Sequence, residues 1–148
     1  MDNIVYIVIG EKENVYQDKI DSGFVATGQI GITLMGSGIP LDALKVDHAC
    51  GAVEQMVMNQ QDRSLVIVEG QGSLLHPSST ATLPLMRGSC PTHMILCHSA
   101  DKTSLRNLES IKIPPLKDFI TLNEALASAV GTYGNPRVMG VALNTAKL

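Results

Sequence analysis

The stretch LVIVEGQGSLLHPSST (65–80) places a carboxylate, an amide, an imidazole and several hydroxyls within a few residues of one another. Glu69 closes an apolar, β-branched run and is followed at once by Gly70, Gln71 and Gly72. A carboxylate at the end of a buried strand has two chemical uses. It reaches a magnesium ion beside a nucleotide phosphate, or it takes a proton as a general base. A third use is structural: a capping or loop-bracing carboxylate at a strand end. Gly70 and Gly72 let the backbone approach a ligand closely, and the same two glycines equally suit an ordinary tight turn.

Other stretches carry similar potential. In TGQIG (27–31), Thr27 and Gln29 are polar groups able to hold a substrate carboxylate or amide, with Gly28 and Gly31 supplying freedom. His98 ends the run HMILCH (93–98) and is a candidate acid or base, as is His76 beside Pro77, Ser78 and Ser79. GSGIPLD (36–42) has two glycines ahead of a proline, a pattern that suits anion binding at a helix start. It lacks the third glycine of a dinucleotide fingerprint and reads better as a structural loop. Cys90, His93, Cys97 and His98 invite a metal reading. Neighbouring residues of a strand point to opposite faces, so Cys97 and His98 cannot share one ion, and no metal site is expected. The chain contains no GxSxG elbow and no GxxxxGK[ST] phosphate loop. GEKENVYQDK (10–19) follows the first apolar run where such a loop would stand, with Gly10 and Lys12, but cannot form the required glycine nest.

Five short β-branched runs must position these groups: NIVYIVI (3–9), FVAT (24–27), LVIVE (65–69), HMILCH (93–98) and VMGVAL (138–143). Most are apolar on both faces, as parallel strands covered on both sides are. Helical spacing predicts a helix over 40–61, opened by Pro40, and another over 115–130, with Asp118 in its first turn. Met86 to Pro91 reads as a turn, and 27–38 as a loop. Alternating strands and helices predict an α/β fold with a mostly parallel sheet flanked by helices. Ligands then gather beyond the carboxyl ends of the strands, in the loops 27–38, 69–80, 98–103 and 144–148.

Bulk composition narrows the function further. The chain is 45% hydrophobic and 17% charged, which suits a single packed domain over its 148 residues. A net charge of −3 with scattered Lys and Arg, and 3% aromatic content, argue against a nucleic-acid partner. No apolar run approaches the roughly 20 residues of a membrane span, and the first residues do not read as a secretion signal. Three cysteines without a signal suit a reducing compartment, so a cytoplasmic protein is expected.

Taken in order, FVATGQ, IPLD, VEGQGSLLHP, MILCHSADKT and ALNT resemble the D-glutamate N-acetyltransferase (DgcN-type) family, in its P-loop-like C-terminal domain, long catalogued only as a domain of unknown function. The resemblance covers about residues 23–146. It implies a three-layer α/β sandwich similar to P-loop NTPases, close in style to dethiobiotin synthetase. It also implies acetyl transfer from acetyl-CoA, as co-substrate, to the amino group of D-glutamate. On that reading Glu69 or His98 is the base. Thr27, Gln29, Gln71 and His76 orient substrate, and Gly70, Gly72, Asn144 and Thr145 hold the cofactor, the last two at its nucleotide moiety. Family members carry a separate N-terminal domain and a glycine-rich loop before the FVATGQ strand. Neither is found here, so a partial domain is expected, with NIVYIVI standing in for the first strand and with activity of its own in question. Two alternatives stay open: a nucleotide-dependent enzyme with Glu69 beside a magnesium nucleotide, or a non-catalytic truncated domain. The expected partner is a small-molecule substrate, within a homo-oligomer.

Overall fold

The computed structural model describes residues 3–9, 15–16 and 19–146. Its elements run β1 (Asn3–Ile9), β2 (Val15–Tyr16), β3 (Lys19–Ile20), β4 (Ser22–Val25), α1 (Gln29–Met35), α2 (Val46–Met58), β5 (Leu65–Val68), α3 (Thr82–Ser89), β6 (His93–Ser99), β7 (Ser104–Leu105), β8 (Leu108–Lys112), α4 (Leu116–Ser128) and β9 (Arg137–Asn144). The expected α/β class is present. The main sheet has the order β4-β5-β1-β6-β9, with two small hairpins, β2-β3 and β7-β8, beside it.

Strand direction is mostly parallel, with one exception. β4 runs parallel to β5 and β6 runs parallel to β9. β1 lies between β5 and β6 and is antiparallel to both. NIVYIVI forms a strand, as expected; it fills the centre of the sheet and runs against the direction of its neighbours. An apolar run buried on both faces does not reveal its direction, because parallel and antiparallel ladders satisfy the same N–H and C=O groups. GEKENVYQDK lies largely outside the described residues.

The connections explain where the core forms. From β4 to β5, β5 to β6 and β6 to β9, each step moves the same way across the sheet. Right-handed crossovers then set the connecting helices on one face. The buried cluster agrees: Val25, Val66, Val68, Tyr6, Met94 and Leu96 share that face and pack against Val53 of α2, Leu85 and Met86 of α3, and Phe119 of α4. The alternate residues Phe24, Ile67, Ile95 and Cys97 point to the other face and are half-buried.

Local departures from the expected helices have local causes. The helix expected over 40–61 is two pieces, a 3-10 turn at Leu41–Ala43 and α2, separated by Leu44 in extended conformation. Leu41 is buried and its N–H is tied to the Thr27 carbonyl, which fixes this turn away from the helix axis. α4 matches expectation up to Ser128, after which Ala129 and Val130 take left-handed φ of 46° and 58° and end it. α1 and α3 stand where a loop and a turn were expected. Pro84 falls within the first turn of α3, where its missing N–H has no helical partner to lose.

Candidate functional site

Glu69 follows β5 at the carboxyl edge of the sheet, as expected. Its Oε2 accepts the main-chain N–H of Thr27 and of Gly28, each at 2.9 Å. The Thr27 hydroxyl in turn donates to the Glu69 carbonyl at 2.8 Å. Gln71 turns back to donate its amide N–H to the Thr27 carbonyl at 2.6 Å. The β4–α1 turn and the β5 loop are thus sewn together by side chains reaching in both directions. Gly28 is the N-cap of α1 and has no side chain to cap it. The Glu69 carboxylate instead holds the N–H groups of the N-cap and of the residue before it, and its charge suits the positive end of the helix.

Gly28 and Gly31 supply room rather than flexibility. A Cβ on Gly28 would lie 2.7 Å from the Gln71 amide nitrogen. One on Gly31 would drive into the Glu69 carboxylate, 2.8 Å from its Cδ and closer still to Oε2. Neither residue has positive φ. Gly72 is different: its φ of 69° is left-handed and an added Cβ would collide with the Ser79 hydroxyl. That hydroxyl accepts the Ser73 N–H at 3.1 Å and pairs with the Thr82 hydroxyl at 3.0 Å, so the 72–82 loop closes on itself. The sequence signal for this network was only the HPSST composition.

The structure brings together some of the expected residues and separates others. Thr27 is fully buried, and its hydroxyl, N–H and carbonyl are all engaged within the chain. Gln29 is exposed at the first position of α1, Gly70 is buried and Gln71 half-buried. His76 accepts the Ser78 N–H on Nδ1 at 3.2 Å, which leaves its proton on Nε2. His98, Asn144 and Thr145 form a second group at the ends of β6 and β9. His98 pairs with Leu143, and Asn144 pairs with Ser99. The Asn144 carbonyl accepts the Ala100 N–H, and its side-chain oxygen the Ala146 N–H, both at 3.0 Å. Beside them the Ser99 hydroxyl donates to Asp101 and, with Lys102 adjacent, holds that carboxyl below its ordinary range. Ser99 is the last residue of β6 and Asp101 lies in the turn that follows it.

Strand order decides whether the two groups can act on one atom. β1 intervenes between β5 and β6, and the register sets His98 three residues beyond the level of Glu69. Two strand spacings across and three residues along place their Cα atoms roughly 14 Å apart. Glu69 and His98 cannot both reach one proton; a ligand would have to span them. Among the described residues, no cluster of three or more His, Cys, Asp and Glu side chains could hold a metal ion. Glu69 commits its Oε2 to two main-chain N–H donors, which braces the β4–α1 turn. A surface groove lined by Thr121, Glu124, Ser128 and Gly131 lies by the start of β9 at the opposite edge of the sheet.

The family described as "Domain of unknown function (DUF1611_C) P-loop domain" matches residues 10–148. The chain belongs to this family. A solved DUF1611 family protein from Anabaena variabilis is 53% identical and superposes with a TM-score of 0.84 over 87% of this chain and 38% of that one. A D-glutamate N-acetyltransferase of a Pseudoalteromonas species is 33% identical over 145 residues, which is 97% of this chain and 43% of the relative. Another, from Tritonibacter scottomollicae, is 37% identical over 130 residues, 87% of this chain and 38% of the relative. The chain thus spans about two fifths of the length of these relatives. Among the described residues no helix is long and apolar enough to cross a membrane.

Proposed function

We propose that this DUF1611 domain serves an N-acetyltransferase that moves the acetyl group of acetyl-CoA onto the amino group of D-glutamate. The observation that carries the reading is that two relatives from different bacteria, matched over 97% and 87% of this chain, both bear that activity as their name. The chemistry needs a base to take a proton from the substrate ammonium, after which the amine nitrogen attacks the thioester carbonyl. The C–S bond then breaks and coenzyme A leaves as its thiol, while donors steady the developing oxyanion.

The geometry favours a division of labour. Glu69 gives one carboxylate oxygen to the β4–α1 turn, which favours His98 as the base of the two. Gln29, exposed on the same turn, and Gln71 and His76 on the adjoining loop are assigned to the substrate. Asn144 and Thr145, both exposed, together with Gly70 and Gly72, are assigned to the cofactor. The test is a thermal melt of the chain with acetyl-CoA, with D-glutamate and with magnesium ATP, followed by mass detection of N-acetylglutamate from the D and L isomers. A ligand bound only by the folded state raises the midpoint. A rise with acetyl-CoA that His98→Ala leaves intact, with product formed from D-glutamate and lost in that variant, is the expected result. No rise with acetyl-CoA sinks the reading. A rise with magnesium ATP instead would favour a nucleotide-dependent enzyme, the reading that the family's P-loop description prompts.

A further inference from the structure

Cys50 of α2 and Cys90 at the end of α3 flank a close contact between the two helices. Gly88 marks that contact. A Cβ there would run into the carbonyl oxygen of Cys50 and lie 2.7 Å from the Val53 Cβ. The backbone of α2 at Cys50 therefore rests directly on α3, two residues before Cys90. Cys90 ends α3 as its left-handed C-cap, with φ 41°, and its thiol turns back toward the helix to reach the Arg87 carbonyl at 3.3 Å. Cys90 is exposed and Cys50 half-buried, so a small reagent can reach the pair.

Cys90 and Arg87 both lie within electrostatic reach of the Cys50 thiol. Burial pushes the Cys50 thiol up; Glu54 and the nearby Cys90 push it in the same direction, and Arg87 opposes them. The Arg87 guanidinium stacks 5.2 Å over the Tyr133 ring, and its Nη1 is buried without a hydrogen-bond partner. It stands ready to meet negative charge on sulfur. Cys97 is excluded from this group by strand parity. It alternates with Met94 and Leu96, which face the helices, so its side chain points to the far side of the sheet.

We propose that Cys50 and Cys90 form a redox-sensitive dithiol that closes to a disulfide tying α2 to the end of α3. With a small-molecule disulfide as oxidant, the exposed Cys90 thiolate attacks one of its sulfurs and releases one thiol. Cys50 then attacks the mixed disulfide at Cys90 and releases the second. Two protein S–H bonds are lost and two reduced thiols of the oxidant are formed. The closed loop contains residues 51–89, and with them Glu69, Gln71 and Gly72. The bond would thereby restrain the candidate site without touching it.

The test uses the whole chain equilibrated with glutathione disulfide, then alkylated, weighed intact and mapped by proteolysis. The expected product carries one alkylated thiol instead of three, that of Cys97, and a peptide pair joining Cys50 to Cys90. Cys97→Ser should form the same bond, and Cys50→Ser should instead trap glutathione on Cys90. Three alkylated thiols in the oxidised sample, or linkage through Cys97 or between chains, would overturn the proposal.

Discussion

Replacing Gly31 by alanine separates the demands of the helix from those of the site. Glycine within a helix costs about 1 kcal/mol relative to alanine, so propensity alone makes Gly31→Ala a stabilising change. The structure says otherwise. The new methyl would occupy the place of the Glu69 carboxylate and force it off the Thr27 and Gly28 N–H groups. Hydrogen bonds to a charged group are worth about 1.5–3 kcal/mol each, and a displaced carboxylate recovers part of this in water. A net loss of about 2–4 kcal/mol is expected after the propensity gain is counted. With a urea slope of about 2 kcal/mol per molar, the midpoint should fall by about 1–2 M. Gly51→Ala is the internal control. Gly51 lies in the middle of α2 with nothing within 4 Å of an added Cβ, and should gain about 1 kcal/mol. In a Glu69→Ala background the carboxylate is gone and Gly31→Ala should become neutral or favourable. If Gly31→Ala and Gly51→Ala stabilise the parent chain equally, the account of Glu69 as a brace for the α1 turn is wrong.

Three further outcomes follow from separate parts of the fold. Burial lifts the Tyr6 phenol well above its ordinary value, while the unfolded chain ionises near pH 10. The unfolded state then binds fewer protons, so stability should fall by up to about 1.4 kcal/mol per pH unit above that point; Tyr6→Phe should flatten this alkaline decline in a pH series of urea melts. Val130 is 92% exposed at φ 58°, so Val130→Gly should relieve left-handed strain and raise the melting temperature by about 2–4 °C, about 1 kcal/mol; an unchanged or lower midpoint would deny the strain. Glu124 accepts the Val138 N–H at 2.9 Å, and Glu124→Ala should cost about 1–2 kcal/mol, whereas removing its exposed ion-pair partner by Arg137→Ala should change stability by less than about 1 kcal/mol in the same denaturation assay.

The strands were readable because LVIV, HMILC and VMGVAL are β-branched and bounded by polar or glycine-rich segments, and their alternation with α2 and α4 gave the fold class. What escaped were the elements whose sequences serve something other than their own conformation. TGQIGITLM reads as a loop because Gly28 and Gly31 are poor helix formers, yet the Gln71 amide and the Glu69 carboxylate leave no room for a side chain at Gly28 and Gly31 respectively. Gly88 hides α3 in the same way, because the Cys50 carbonyl leaves no room for a side chain. Glu69 was conspicuous as a carboxylate closing an apolar run. Its partners were not, since two of them are main-chain N–H groups some forty residues earlier in the chain. The separation of Glu69 from His98 depends on β1 lying between their strands, and pairing order is not written in the composition of any one strand.

The position of β1 also has a consequence for how the domain assembles. β5 and β6 share no hydrogen bonds; each is joined only to β1 on that side. β1 is therefore the seam between two parallel pairs, β4-β5 and β6-β9, that could each form from local chain. It is synthesised before both its neighbours, and its partners lie some sixty and ninety residues downstream. Contacts of such range close slowly, because loop entropy must be lost before they are made. Until β6 emerges, NIVYIVI is an apolar strand with at least one bare edge, the kind of segment that pairs with whatever strand it meets.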